Sequence, residues 1–329
     1  MFLYKMQHKF LFFYLLIVSW VNNIFIYPLL LLNNTLLSQW TISYFISISG
    51  LIKYFYNISI YVNNMNIVND IIYSDKSKSI VIQNHLSQFD FLFISSLISN
   101  NNIIPNINMK MLTFYDLYLY LPGFGLVCYL LKNIMITYNK IKNIKLIENC
   151  EINSDTLLWF YPEGNIYCKR AKDVVDKYCD NNNLPKMKNC LYPRSGAVEI
   201  LQKNNKINTI YSVTTQYDNI KPSDKYHSLV NSNLPSNVYF KLDKHNVKDN
   251  DIFNKTVEIF HDMDNSMDKD IINNEYKKLD NNYIEMLCIL IQGLFFILCC
   301  YMMYQYYFMR LYFISGSICY YAYLYFDIK

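Results

Sequence analysis

A chain of 329 residues, 53% hydrophobic and 17% aromatic, has room for one sizeable α/β domain with apolar length left over for a membrane. A formal net charge of +4 is too weak for a nucleic-acid footprint. Nine cysteines form no Cys-x-x-Cys pair, and the evenly spaced Cys168, Cys179 and Cys190 lack zinc-finger histidines, so all nine read as buried or lipid-facing thiols.

Residues Phe10 to Leu32 are almost wholly apolar, interrupted by Asn22, Asn23 and Pro28. At about 1.5 Å per residue they reach across a ~30 Å hydrocarbon layer, as an uncleaved anchor. A cleaved signal peptide competes, but no alanine precedes Ala171 to form an Ala-x-Ala site. No Asp or Glu occurs before Asp70, and Lys5, Lys9 and Lys53 are the only fixed charges there, which suits a bilayer with anionic head groups. Leu36 to Val62 reads as an amphipathic interfacial helix or a poor second span.

From Asn63 the texture changes. Short β-rich runs at Ser79–Gln83, Ile103–Ile107, Ile134–Tyr138, Leu157–Tyr161 and Thr209–Thr215 alternate with longer connections, which predicts an α/β sheet covered on both faces. Asp243 to Asn282 reads as helical and solvated, and the many Asn runs as solvated loops. Asn33, Asn57 and Asn254 stand in glycosylation-type triplets, which carry little weight in an Asn-rich chain. Tyr283 to Phe308 is long enough to span a bilayer; Arg310 breaks the run, and Leu311 to Phe326 is short for a span. A span with a re-entrant or interfacial helix and a tight helical hairpin both fit. The expected organisation is therefore anchor and interfacial helices over 1–62, a catalytic domain over 63–282 and C-terminal membrane segments over 283–329.

Chemistry concentrates in Asn84-His85-Leu86-Ser87-Gln88-Phe89-Asp90. On one continuous helix, residues five apart point about 140° away from each other. With His85 just ahead of a helix and Asp90 in its first turns, the carboxylate reaches one imidazole nitrogen and leaves the other as a general base. Ser87 and Asp90 also have the Ser-x-x-Asp form of a capping box, which explains Asp90 without catalysis. Tyr161-Pro162-Glu163-Gly164 reads as a strand-terminating turn that places a carboxylate at the carboxyl edge of the sheet, where α/β folds bind ligands. In Leu121-Pro122-Gly123-Phe124-Gly125 two glycines let backbone approach a phosphate or an aromatic ring.

In order and spacing these blocks resemble the 1-acylglycerol-3-phosphate acyltransferase family, and more narrowly its lysocardiolipin acyltransferase branch. Asn84 to Asp90 corresponds to the Asn-His-x4-Asp block, Pro122 to Gly125 to the second block, and Phe160 to Gly164 to Phe-Pro-Glu-Gly offset by a tyrosine. Leu191-Tyr192-Pro193-Arg194 is similar to the branch's Leu-His-Pro-Arg, and Ile210 to His245 follows its strand, Pro-Ser segment and second strand. The resemblance covers about residues 10 to 245. It implies a mixed sheet flanked by helices, membrane helices at both ends, acyl-CoA as co-substrate, a lysophospholipid acceptor, and no metal or tightly bound cofactor.

It also implies roles. His85 is the base and Asp90 its orienting partner; Glu163 and Gly164 shape the acceptor pocket with Asn165; Arg194 beside Pro193 holds phosphate; Gly123 and Gly125 line the acyl-CoA path. Two positions depart from the family. Asn165 stands where many members carry Thr, and Tyr138 stands at a phosphate-binding Arg, leaving Lys140, with Lys169 and Arg170 further off, as the other cations. Activity on a glycerol-3-phosphate or lysocardiolipin-type acceptor, an inactive membrane scaffold, and a multi-span carrier are the alternatives; the long polar middle speaks against the carrier. An endoplasmic reticulum membrane is the expected location, with mitochondrial or plastid-type membranes as alternatives. Protein partners are not indicated.

Overall fold

The protein is described from a computed structural model, over residues 14–30, 34–87, 90–99, 104–105, 107–114, 125, 128, 133–218, 235–247, 251–267, 276–280 and 283–328. After a π-helical turn at Tyr14–Val18 come α1 (Ser19–Leu30) and α2 (Asn34–Tyr56). Then follow β1 (Ser59–Val62), α3 (Met65–Tyr73), β2 (Ser79–Gln83), α4 (Asp90–Ser99), β3 (Asn108–Phe114), β4 (Ile134–Ile136) and α5 (Lys140–Glu148). Next are β5 (Thr156–Phe160), α6 (Lys169–Asn181), α7 (Ser195–Asn205), β6 (Thr209–Tyr217), β7 (Asn237–Asn246) and α8 (Ile252–Met267). β8 (Lys277–Lys278), α9 (Tyr283–Gln305) and α10 (Tyr307–Ile328) close the chain.

The strands form one mixed eight-stranded sheet in the order β4-β3-β5-β2-β6-β7-β1-β8. β3, β4, β5, β2 and β6 run parallel, β7 is antiparallel to β6, and β1 is parallel to β7. β2 (SIVIQ) and β5 (TLLWF) are buried at every residue, because central parallel strands are covered on both faces. Val81, Trp159, Val213, Phe240 and Leu242 face a core shared with α2, α3 and α4. On the other face Ile80, Ile82, Leu158, Phe160 and Ile210 pack against α7 and α8.

Several expected elements change. The strand expected over Ile103–Ile107 forms instead at Asn108–Phe114, where it pairs with β5 from Asn108↔Thr156 to Met111↔Trp159. The interfacial helix expected over Leu36–Val62 ends at Tyr56, and Ser59–Val62 enters the sheet as β1. Residues 41–53 of α2 are buried at every position, so the helix presents no solvent-facing stripe there. Within the solvated stretch expected from Asp243, β7 runs to Asn246, and α8 buries Ile252, Ile259, Phe260 and Met263 against the sheet.

The two chain ends pack together. Asn22 donates from Nδ2 to the Gln292 backbone oxygen at 2.8 Å and to Oε1 at 2.9 Å, and Asn23 Oδ1 accepts from Trp40 Nε1 at 3.0 Å. The asparagines that interrupt the apolar run therefore stitch α1 to α9 and α2. α9 and α10 fold back as a hairpin, since Gln292 and Gly316 both reach α1 between Asn22 and Ile24. At the corner, Arg310 donates to the last carbonyls of α9, Nε to Met303 O at 2.6 Å and Nη2 to Tyr304 O at 2.8 Å. Among the described residues, α9 is the one helix long and apolar enough to cross a membrane. The N-terminal anchor expected over Phe10–Leu32 lies partly outside the described residues.

Candidate active site

β2, β5 and β6 are parallel, so their carboxyl ends reach one edge of the sheet. β2 stops there because a side chain takes over its ladder. Asn84 accepts from Thr215 N at 2.7 Å and donates to Thr215 O at 3.1 Å, in place of backbone pairing with β6. The His85 backbone then leaves the sheet: its N–H donates to Glu163 Oε2, and its carbonyl accepts from Tyr167 N at 2.7 Å.

The His85 ring meets Asp90 across the turn, Nδ1 to Oδ2 at 2.8 Å. The same oxygen accepts Leu86 N at 2.8 Å and Ser87 N at 3.0 Å, while Oδ1 accepts Ser87 Oγ at 3.3 Å and the Tyr217 hydroxyl. Asp90 thus closes the turn ahead of α4 and holds the histidine with one carboxylate, so capping and catalytic geometry coincide. A carboxylate that only accepts assigns the proton to Nδ1 and the lone pair to Nε2, which has no hydrogen-bond partner among the described residues. The His85 side chain keeps 19% exposure, whereas Asp90 keeps none.

The Tyr161 ring stacks on the imidazole with centroids 4.1 Å apart. Burial holds the Tyr161 and Tyr217 phenols well above their ordinary range, and the nearby Asp90 charge acts in the same direction. Neither tyrosine was expected from the sequence. Tyr161 sits at the offset in the Phe-Pro-Glu-Gly block, and Tyr217 ends β6 as one of 32 tyrosines, with no local signal. Removing the hydroxyl in Tyr217→Phe leaves Asp90 with one donor fewer. We expect kcat to fall about tenfold with acceptor KM unchanged, the loss fitting one hydrogen bond to a charged group. Unchanged kcat in steady-state assays means that Ser87 and the backbone orient Asp90 without it.

Glu163 is fully buried and ties two loops together. Oε2 accepts His85 N, and Oε1 accepts Leu191 N at 2.8 Å. Burial pushes this carboxyl well above its usual range; the two N–H donors pull the other way, and Asp90 and Asp264 add to the rise. Gly164 adopts φ +67°, and a Cβ there would meet the Arg194 guanidinium carbon at 3.3 Å, so glycine allows both the turn and the close approach. Arg194 is exposed and its N–H donates to Pro162 O at 2.9 Å, following the buried Pro193. With its amide oriented to satisfy both ends, Asn165 accepts Arg194 Nη2 at 3.1 Å and donates to Gly164 O at 3.2 Å.

His85, Asp90, Glu163, Gly164, Asn165, Pro193 and Arg194 therefore come together. Lys169 and Arg170 are exposed at the start of α6, which Tyr167 joins to the His85 loop. Lys140 is exposed beyond the end of β4, three strands from β2, or about 14 Å at the usual strand spacing, and stands apart from this cluster. Tyr138 is 86% exposed beside it. Gly125 is buried, and Gly123 lies outside the described residues. Among the described residues no group of His, Cys, Asp and Glu is placed to hold a metal ion.

Residues 59–216 match the model of the Acyltransferase family. The matched segment, a little under half of the chain, contains the histidine, both motif carboxylates and Arg194. The match supports an acyltransferase domain over these residues, with acyl transfer as the class of reaction. No curated protein and no solved structure matches the chain.

Proposed function

We propose that this acyltransferase moves a fatty acyl group from acyl-CoA to the free hydroxyl of a lysophospholipid of the lysophosphatidic acid type. The observation that carries the reading is the His85–Asp90 pair at 2.8 Å, with Nε2 unpartnered among the described residues, in the acyltransferase domain beside Arg194. No protein nucleophile is needed. The acceptor hydroxyl oxygen attacks the thioester carbonyl carbon while Nε2 takes its proton. The tetrahedral intermediate collapses, the C–S bond breaks, and the imidazolium returns the proton to the leaving thiolate. Asp90 holds the tautomer and balances the transient charge on the ring. Arg194, held over Gly164 by Asn165, supplies a guanidinium for the acceptor phosphate.

Membrane attachment serves the same chemistry. α9 exposes Leu290, Leu294, Ile297, Leu298 and Tyr301 along its length, a lipid-facing surface on a helix of 23 residues. An acceptor and acyl chains that partition into the bilayer are then concentrated at the site. An endoplasmic reticulum membrane is the proposed location.

The test is purified protein in detergent given labelled acyl-CoA and a panel of lysophospholipids and glycerol-3-phosphate. We expect the label on lysophosphatidic acid, and loss of acceptor saturation in Arg194→Ala. Transfer to lysocardiolipin or glycerol-3-phosphate alone reassigns the acceptor. No transfer to any member rejects the enzyme and leaves a membrane scaffold.

A further inference from the structure

Four successive backbone N–H groups, from Lys188 to Leu191, all end on buried carboxylates. Lys188 N donates to Asp264 Oδ2 at 2.9 Å, Asn189 N and Cys190 N donate to Asp264 Oδ1, the latter at 2.9 Å, and Leu191 N donates to Glu163. Asn189 Nδ2 adds a bond to the Asp264 carbonyl at 3.1 Å. Three residues further on, the same loop delivers Arg194 to Gly164. On the other side of Glu163, the His85, Leu86 and Ser87 N–H groups end on Glu163 and Asp90. Asp90, Glu163 and Asp264 therefore hold the two loops of the site by their amides.

Asp264 differs from the other two. It lies on α8, beyond the segment 59–216 that matches the family. α8 is also fastened to the site's edge, through Asn84 Nδ2 to Met267 Sδ at 3.6 Å and Gln216 Nε2 to Ser266 O at 3.2 Å. A short loop on the surface has many conformations of similar energy. A carboxylate that gathers three consecutive amides selects one of them, through charge-assisted bonds in a poorly hydrated place.

We propose that Asp264 is a positioning residue for the acceptor: it fixes the 188–194 loop so that Arg194 stands where the acceptor phosphate binds. This rests on the reading of Arg194 as the phosphate cation. It extends the working domain to α8 and places acceptor recognition, but not the proton-transfer pair, under control of this carboxylate.

The experiment is steady-state kinetics with lysophosphatidic acid and acyl-CoA varied separately, on wild type, Asp264→Asn, Arg194→Ala and the double variant. In Asp264→Asn an amide group faces N–H donors, so the clamp opens without a change in side-chain size. We expect acceptor KM to rise about tenfold in that variant, while acyl-CoA KM and kcat at saturating acceptor stay within about twofold. In the Arg194→Ala background the second substitution should add little, since both act on one contact. Parallel losses in kcat and both KM values, an unchanged acceptor KM, or a variant that fails to fold assign Asp264 to general stability and overturn the proposal. Acceptor KM unmoved in Arg194→Ala rejects the phosphate reading instead, and the clamp is then judged on acceptor KM in Asp264→Asn alone.

Discussion

His85→Ala is expected to lower kcat by about 10³-fold, with protein yield and membrane association unchanged. The substitution removes only the ring. The backbone N–H to Glu163 and the carbonyl bond from Tyr167 N belong to groups alanine retains, so the loop stays tied at both sides. Asp90 keeps Leu86 N, Ser87 N, Ser87 Oγ and the Tyr217 hydroxyl, enough to satisfy both of its oxygens without the imidazole. What disappears is the group that takes the proton. Asp90→Asn tests the same unit from the other side, because an amide can present its NH2 to Nδ1 and favour the wrong tautomer. A His85→Ala/Asp90→Asn double variant should be no slower than His85→Ala alone, as expected for residues acting together. Single-turnover transfer of labelled acyl groups measures this directly. Turnover within about tenfold of wild type in His85→Ala removes the base from the mechanism.

The parts of the fold visible in the sequence were those whose signal is local. Ile80–Ile82 and Leu157–Phe160 are unbroken apolar runs because both faces of the sheet are covered there, and their shortness and β-branched or aromatic content mark them as strands. β3 was displaced by five residues because Asn108, Lys110 and Thr113 dilute its pattern, while Ile103 to Ile107 is richer in isoleucine yet unpaired where described. The turn from His85 to Asp90 is a short-range geometry, so its hydrogen bond could be reasoned out from spacing. Tyr217 and Asp264 could not. Each is joined to the site by tertiary contacts across 127 residues to Asp90 and 75 residues to Asn189, and a polar helix gives no sign of which aspartate turns inward. Lys140 shows the converse: close in sequence to a family position, it stands on the far side of the sheet's parallel half.

The same long-range blindness hid the contact that joins the chain ends. Lys53 of α2 and Glu285 of α9 form an ion pair 232 residues apart, Nζ to Oε1 at 2.9 Å and to Oε2 at 2.8 Å, with both side chains almost wholly buried. Ser99 Oγ adds a donor to Oε1 at 3.4 Å. The helices meet closely here, since a Cβ on Gly50 would sit 2.9 Å from Glu285 Cβ. Such a pair contributes little net stability over well-packed apolar residues, but removing one member strands a charge. Glu285→Ala should therefore destabilise the docking of α9 by about 3–5 kcal/mol. Loss of that size lowers a thermal midpoint in detergent by on the order of 10 °C. The double variant Lys53→Met/Glu285→Leu keeps the volume and removes both charges, and it should recover most of the loss. Kinetics separate this pair from the catalytic site. At temperatures where Glu285→Ala remains folded, its kcat should match wild type, because among the described residues the side chain of Glu285 bonds Lys53 and Ser99 and neither His85 nor Asp90. A midpoint equal to wild type in Glu285→Ala shows that other contacts, such as those of Asn22 with Gln292, and not Lys53, hold α9 against the domain.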